Sequence, residues 1–440
     1  MLGNEGQKPT MFFRILRWTG LTLLAGVTLL VASSCTMLGL NYASLDTGNK
    51  SAPVPTLDLD RLMTPDGRAE AMKMLEDTLY GPWPQGLPVS MGDWRIVNAN
   101  YLGGRGTLEE LDITIGLGPG AQTFQLVAAF PKGALANPLV ISQTFSPNCA
   151  VFPDEPVMNE AGVPCTARDN NAVANFIVNN LFGEYIAEAP IEKYFDSGFV
   201  YSSFHAGDFI PDSTLLAPKT MAALGGEVNP TSTLTAWAFA FSAAMDALEN
   251  DPRVDTQHTS VMGHSRHGKA ALLAAVWDSR IEAVIAHQSG FAGASLSRSV
   301  TGERLDRMAE TYPHWLAPGA QKYAANPKLL PFDQHLLLAL IAPRRLFLGN
   351  GRRDVWSDPN SSFRAAHAAS EMWVAHGVPG LSDGSMRTFD PAAGIVWWLR
   401  PGGHGIVKED IDAFITFLKA GRGHPAVPPP AELPSLPAPG

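Results

Sequence analysis

Between residues 57 and 423 the apolar positions fall into two alternating rhythms. A helical spacing from about Pro65 to Leu79 comes first. Three strand-like stretches follow, Trp94–Asn98, Leu111–Gly116 and Thr123–Phe130. Short, nearly continuous apolar runs then appear at Leu139–Ser142, Phe199–Ser202, Thr259–Met262, Ala283–His287, Leu346–Gly349 and Ile395–Leu399. Runs of that length, rich in β-branched residues, suit strands covered on both faces. They are interleaved with helical patterns at Leu234–Leu248, Gly268–Trp277, Pro359–Ala375 and Lys408–Leu418. The order predicts an α/β architecture, a wound sheet with helices on both faces.

The ends follow other patterns. Lys8, Arg14 and Arg17 precede an uncharged apolar run from Thr19 to Ser34, and Cys35 comes next. Residues 1–35 thus read as an export segment of lipoprotein type, with Cys35 as the acylated residue; an uncleaved anchor or ordinary cleavage are the alternatives. Each of these delivers the body outside the cytoplasm, to the cell envelope (periplasm or outer membrane). Residues 36–56 are polar, small and aperiodic, as in a tether, and 424–440 form a proline-rich tail. Of the three cysteines, Cys149 and Cys165 lie near each other in a Pro/Asn/Gly-rich stretch, where an oxidising compartment allows a disulfide. Two thiols packed as small hydrophobes are the other possibility.

Composition narrows the partners. The chain has 440 residues, 45% hydrophobic and 17% charged, enough apolar material for a large core. Its formal net charge of −10 repels phosphate backbones and anionic bilayers, which argues against nucleic acid and leaves membrane contact to the N-terminal anchor. No CxxC or Cys/His cluster suggests a metal, and no cofactor is called for.

The segment richest in chemistry is SVMGHSRHGKAALLAAVW, Ser260–Trp277. A buried strand ends at Gly263-His264-Ser265 and a helix of small apolar residues begins at once. Such a turn exposes a serine beside the N–H groups of a helix start, which makes Ser265 a candidate nucleophile. Asp354 follows a later strand-like run, and His404 follows the last one in RPGGHG. Nucleophile, acid and histidine thus come in the order used by hydrolases with this turn. Arg266 can face developing negative charge, and Lys269, one helical turn on, can reach a polar substrate; surface ion pairs are the plainer alternative for both.

These stretches resemble the glucuronoyl esterases, carbohydrate esterase family 15. The resemblance rests on Gly263-His264-Ser265-Arg266-His267-Gly268-Lys269 and on RIVNANYLGG, HAGDFIPD, SGFAGASLSR, TGERL, YPHW, LPFDQHLLLALIAPRRL, DVWSDP and RPGGHG, in family order from about Leu79 to Leu418. It implies an α/β-hydrolase fold, with a wound, mostly parallel central sheet flanked by helices and antiparallel N-terminal strands. It also implies a serine esterase acting on a carbohydrate substrate, the esters of (4-O-methyl-)glucuronic acid that link glucuronoxylan to lignin. By that resemblance Ser265 is the nucleophile, His404 the base and Arg266 the oxyanion side chain. Lys269 and Glu303 hydrogen-bond the uronosyl ring, and Trp356 lines its pocket; Trp315 is a further aromatic for a sugar face.

Gln288 departs from the pattern, since many family members have a catalytic glutamate there. It is read as a substrate-binding residue whose neutral amide can orient a histidine but cannot supply charge, and the acid is read as Asp354, with Asp358 as second candidate or as a cap of the helix from Pro359. If the loop has the family geometry, Gln288→Glu is expected to recover part of the activity lost in Asp354→Asn. Two other functions stay open: an esterase for other carbohydrate or small-molecule esters, and a surface carbohydrate-binding protein with a decayed site.

Overall fold

The computed structural model describes residues 18–29, 42–47, 51–84, 86–133, 136–158, 178–224, 231–382 and 384–421. Ten strands form one mixed sheet: β1 (Val89–Met91), β2 (Arg95–Asn100), β3 (Gly106–Ile115), β4 (Gln122–Pro131), β5 (Asn137–Thr144), β6 (Val200–His205), β7 (Val254–His264), β8 (Ala283–His287), β9 (Arg345–Gly351) and β10 (Ile395–Arg400). Their spatial order is β1-β3-β4-β6-β5-β7-β8-β9-β10, with β2 paired to β3 off that path. Every pair from β6 through β5 to β10 is parallel, and the pairs at the N-terminal end are antiparallel. This is the expected α/β-hydrolase sheet.

Side-chain alternation divides the core in two. Leu139 and Ile141 of β5, Leu346 and Leu348 of β9, and Ile395 and Trp397 of β10 enter one cluster. Their in-between neighbours Val140, Phe347 and Val396 enter the other. Period-two alternation with both faces apolar is why these strands read as continuous hydrophobic runs. Helices α1 (Pro65–Leu75), α2 (Thr233–Leu248), α3 (Arg266–Trp277) and α4 (Pro359–Ala375) cover the first face, and α5 (Lys408–Gly421) covers the second. Ser232 caps α2 by accepting the Thr235 N–H at 3.1 Å.

The elements depart from expectation mainly at their ends. The first helical pattern continues past α1 as a π turn over Glu76–Tyr80. Strand β3 starts at Gly106, ahead of the expected Leu111, because its full register with β4 runs from Gly106↔Pro131 to Ile115↔Gln122. The three-residue β1 is too short to leave a periodic signal.

Within the stretch expected to be a tether, residues 42–47 pack on the body. Asp46 is fully buried: its carboxylate pairs with Arg364 at 2.5 Å and its N–H donates to Asp358 at 3.1 Å. Ala43 bridges to Gly302. Residues 42–47 are therefore a strap held by polar contacts, which hydrophobic periodicity does not register. Residues 18–29 form a short exposed helix, and no described helix is long and apolar enough to cross a membrane. Cys35, Cys165 and the proline-rich tail lie outside the described residues.

Candidate active site

Strands β7, β8, β9 and β10 all end on the same edge, and the loops beyond those ends build the site, the usual place in an open α/β sheet. At the end of β7, Ser265 adopts φ 54°, ψ −121°, a strained conformation for a residue with a side chain. Its N–H is fixed to the His287 carbonyl at 2.8 Å. Close approach explains the glycines of this turn. A Cβ on Gly263 would lie 2.1 Å from the His267 carbonyl, and one on Gly268 would lie 3.1 Å from Cβ of Ser289. His267, where a second glycine is usual, fits because its ring packs against Phe145 and its Nδ1 meets Gln143 Oε1 at 3.0 Å.

A cavity of about 450 Å³ opens over this turn. Ser265, Arg266, Lys269, Gln288, Glu303, Trp315, Trp356 and His404 all line it, so these eight residues meet in one place. Asp354 stands behind His404, 2% exposed, and its Oδ2 is 2.8 Å from His404 Nδ1. Its Oδ1 accepts the N–H groups of Trp356 and Ser357, each at 3.1 Å. Burial opposes the charge on Asp354, but His404 and these hydrogen bonds outweigh it and hold the carboxyl below its usual range. Asp358 points elsewhere: it caps α4 by accepting the Ser361 N–H at 3.1 Å and takes the Thr301 hydroxyl and the Asp46 N–H.

Gln288 lines the cavity, and its amide also holds the backbone around His404. Its Nε2 donates to the Gly403 carbonyl at 3.0 Å, and its Oε1 accepts the Gly405 N–H at 2.7 Å. The amide thus grips the backbone on both sides of His404. Arg400 supports the same loop from beneath, donating to the Gly405 carbonyl at 2.6 Å and pairing with Asp410. The imidazole of His264, buried below His404, is pulled well below its ordinary pKa by desolvation and then by His404 and His287, so it adds no positive charge under the site.

The opposite wall is cationic. Arg266 pairs with Asp212, and its guanidinium carbon lies 4.9 Å from the Trp315 ring centre. Burial disfavours the Asp212 carboxylate, but His314, Arg266 and Trp315 together draw its pKa down to about 2. The His314 Nε2 and Trp315 Nε1 contacts to it measure 2.8 and 2.7 Å. Among the described residues the buried Arg266 Nε has no acceptor. Lys269, 3% exposed, donates to the Ser289 carbonyl; desolvation brings its pKa down to about 8 against the pull of Glu303. Asp212 escaped the sequence reading as a site residue, although HAGDFIPD contains it; that stretch lacks a local reason to meet an arginine far along the chain. Tyr42, from the strap, also lines the cavity and was hidden in the apparent tether.

Fold and site together define an α/β-hydrolase with a serine elbow. A family model described as fungal glucuronyl esterase matches residues 221–377. Carbohydrate esterase MZ0003, from an unknown prokaryotic organism, is 28% identical over 86% of this chain and 91% of its own length. The 4-O-methyl-glucuronoyl methylesterase 1 of Phanerochaete chrysosporium is 35% identical over 35% of each chain, so this chain matches about a third of that relative's length. Among solved structures, a promiscuous CE15 esterase from a marine bacterial metagenome superposes with a TM-score of 0.72 at 26% identity, covering 86% of this chain and 99% of that one. A glucuronoyl esterase from Solibacter usitatus gives 0.68 at 27% identity over 80% and 91%. In all these comparisons the chain is similar to the glucuronoyl esterases of carbohydrate esterase family 15.

Proposed function

We propose that this protein is a serine esterase that hydrolyses esters of 4-O-methyl-glucuronic or glucuronic acid, with Ser265, His404 and Asp354 as its triad. The observation that carries the reading is the 2.8 Å contact of Asp354 with His404, beside a cavity shared by the strained Ser265 and by Arg266 and Lys269. With Nδ1 engaged by Asp354, His404 Nε2 is the nitrogen left to take the Ser265 proton. Ser265 Oγ attacks the ester carbonyl, and the oxyanion is met by the Arg266 guanidinium and backbone N–H groups at the start of α3. His404 returns the proton to the departing alcohol. Water then adds to the acyl-enzyme with His404 again as base, releasing the uronic acid and restoring Ser265. Lys269 and Glu303 hold the uronosyl hydroxyls, and Trp356 and Trp315 wall the ring.

The decayed-site reading loses its motive, because Gln288 has a backbone partner at each end of its amide and His404 has its own carboxylate. The N-terminal pattern supports export with an acylated Cys35, and the two remaining cysteines support a Cys149–Cys165 disulfide. Hydrolysis of methyl glucuronate by the wild type, abolished in a folded Ser265→Ala variant, tests the main proposal. Near-normal turnover in that variant would reject the mechanism.

A further inference from the structure

We infer that Tyr42 contacts the uronosyl ring of the substrate, and that Asp46 is the residue that positions it by fixing the N-terminal strap to the active-site loops. The assignment rests on the glucuronoyl ester reading above. The Tyr42 ring meets Trp356 edge-on, with centroids 6.3 Å apart and planes at 79°. It faces the same cavity as Glu303 and Tyr312. Burial, then the nearby Glu303 and Tyr312, raise the pKa of its phenol, with Arg307 opposing, so the phenol stays protonated and near the Glu303 carboxyl. A hydroxyl that both donates and accepts, next to a carboxyl, suits adjacent hydroxyls of a pyranose ring.

A loose tether would not hold such a group in register. Burying a carboxylate is costly unless it is paired and hydrogen-bonded, and Asp46 meets that condition through Arg364. Its N–H goes to Asp358 and its carbonyl accepts from Asn360, both at the start of α4. Arg364 also donates to the Ala52 carbonyl at 2.7 Å. Near the other end, the Gly302 N–H donates to the Ala43 carbonyl at 3.2 Å, one residue before Glu303. Gly302 has φ 66°, and a Cβ there would lie 2.9 Å from that of Asp358, so strap, Glu303 loop and acid loop converge with no space to spare. The strap thus spans from the Glu303 loop to the start of α4 and presents Tyr42 beside Trp356.

The test uses the full chain and two substrates, methyl glucuronate and an aryl acetate that lacks the sugar. Tyr42→Ala is expected to raise KM for methyl glucuronate by about tenfold, the scale of one lost hydrogen bond plus ring contact, with a smaller change in kcat. The ratio of kcat/KM for methyl glucuronate to that for the aryl acetate should fall by a similar factor. Tyr42→Phe should lie between wild type and Tyr42→Ala, because it removes only the hydroxyl, and Asp46→Asn should move the same ratio in the same direction. An unchanged KM in Tyr42→Ala, or equal losses on both substrates, would overturn the assignment. Absence of methyl glucuronate turnover in the wild type would instead remove the ester reading and this assignment with it.

Discussion

Asp354 and Asp358 lie four residues apart on the loop after β9, at 2% and 0% exposure, yet their surroundings give them opposite tasks. Asp354 faces a histidine at a cavity wall. Asp358 faces backbone N–H groups and a threonine, and it sits at φ 47° as the cap of α4. Burial disfavours the charge of both. For Asp354 the neighbouring histidine more than offsets this, whereas for Asp358 the hydrogen bonds do not and its pKa stays raised. What distinguishes the carboxylate proposed as the triad acid from the structural one is the partner, since both are buried.

The largest effect expected from this contrast is on turnover. Asp354→Asn should lower kcat by about 10⁴-fold, the scale for losing a triad acid, while thermal unfolding and circular dichroism report an intact fold. Asp358→Asn should stay within about tenfold of wild type. If Asp358→Asn proves the more damaged in turnover, the two roles are reversed.

Next in size is the second-site test. The expectation that Gln288→Glu would recover part of an Asp354→Asn loss assumed that residue 288 faces the histidine ring. Its amide instead donates to the Gly403 carbonyl and accepts from the Gly405 N–H. A carboxylate can keep the second bond but faces the carbonyl with no proton to give. The Asp354→Asn/Gln288→Glu double variant should therefore recover nothing, and Gln288→Glu alone should lower kcat by about ten- to a hundredfold by loosening the His404 loop. Recovery measured on methyl glucuronate would show that the loop can rearrange to the family's other acid position.

Smaller again is a stability effect confined to the structural carboxylate. Asp358→Ala removes the α4 cap and leaves the buried Asp46 N–H without its acceptor, at a cost of about 1–3 kcal/mol. Denaturant unfolding should report that loss.

The contrast also separates what could be read in the chain from what could not. β7, the elbow and the order of Ser265, Asp354 and His404 were legible because strands buried on both faces leave continuous apolar runs, and a serine between such a run and a helix has a local signature. Asp354 could be preferred over Asp358 because Trp356 then falls in the register of the resemblance, and because Pro359 marks a helix start that offers Asp358 a capping role. Tyr42, Asp46 and Asp212 were not legible as site residues. Asp46 and Asp212 make polar contacts, and Tyr42 a ring contact, to residues far along the chain, and such contacts follow no period. Gln288 was noticed, but its task depends on the path of the Gly403–Gly405 backbone, which composition does not encode.

The smallest expected effect is a difference in sign on the acid side of the stability profile. The folded-state pKa of Asp354 is lowered, so its contribution is fully present above the unfolded carboxylate value and is lost as pH falls through the folded value. The folded-state pKa of Asp358 is raised, so between the unfolded and folded values the native state binds more proton, and stability falls as pH rises through that window. Acidification from neutral pH therefore relieves the cost of burying Asp358 before it begins to cost the Asp354 contribution. In unfolding measurements from neutral pH down to about pH 3, Asp354→Asn should lose less stability on acidification than wild type. Asp358→Asn, which removes the relief, should lose more. Parallel profiles for the two variants would mean that the two carboxylates share one electrostatic environment and that the contrast between them is not real.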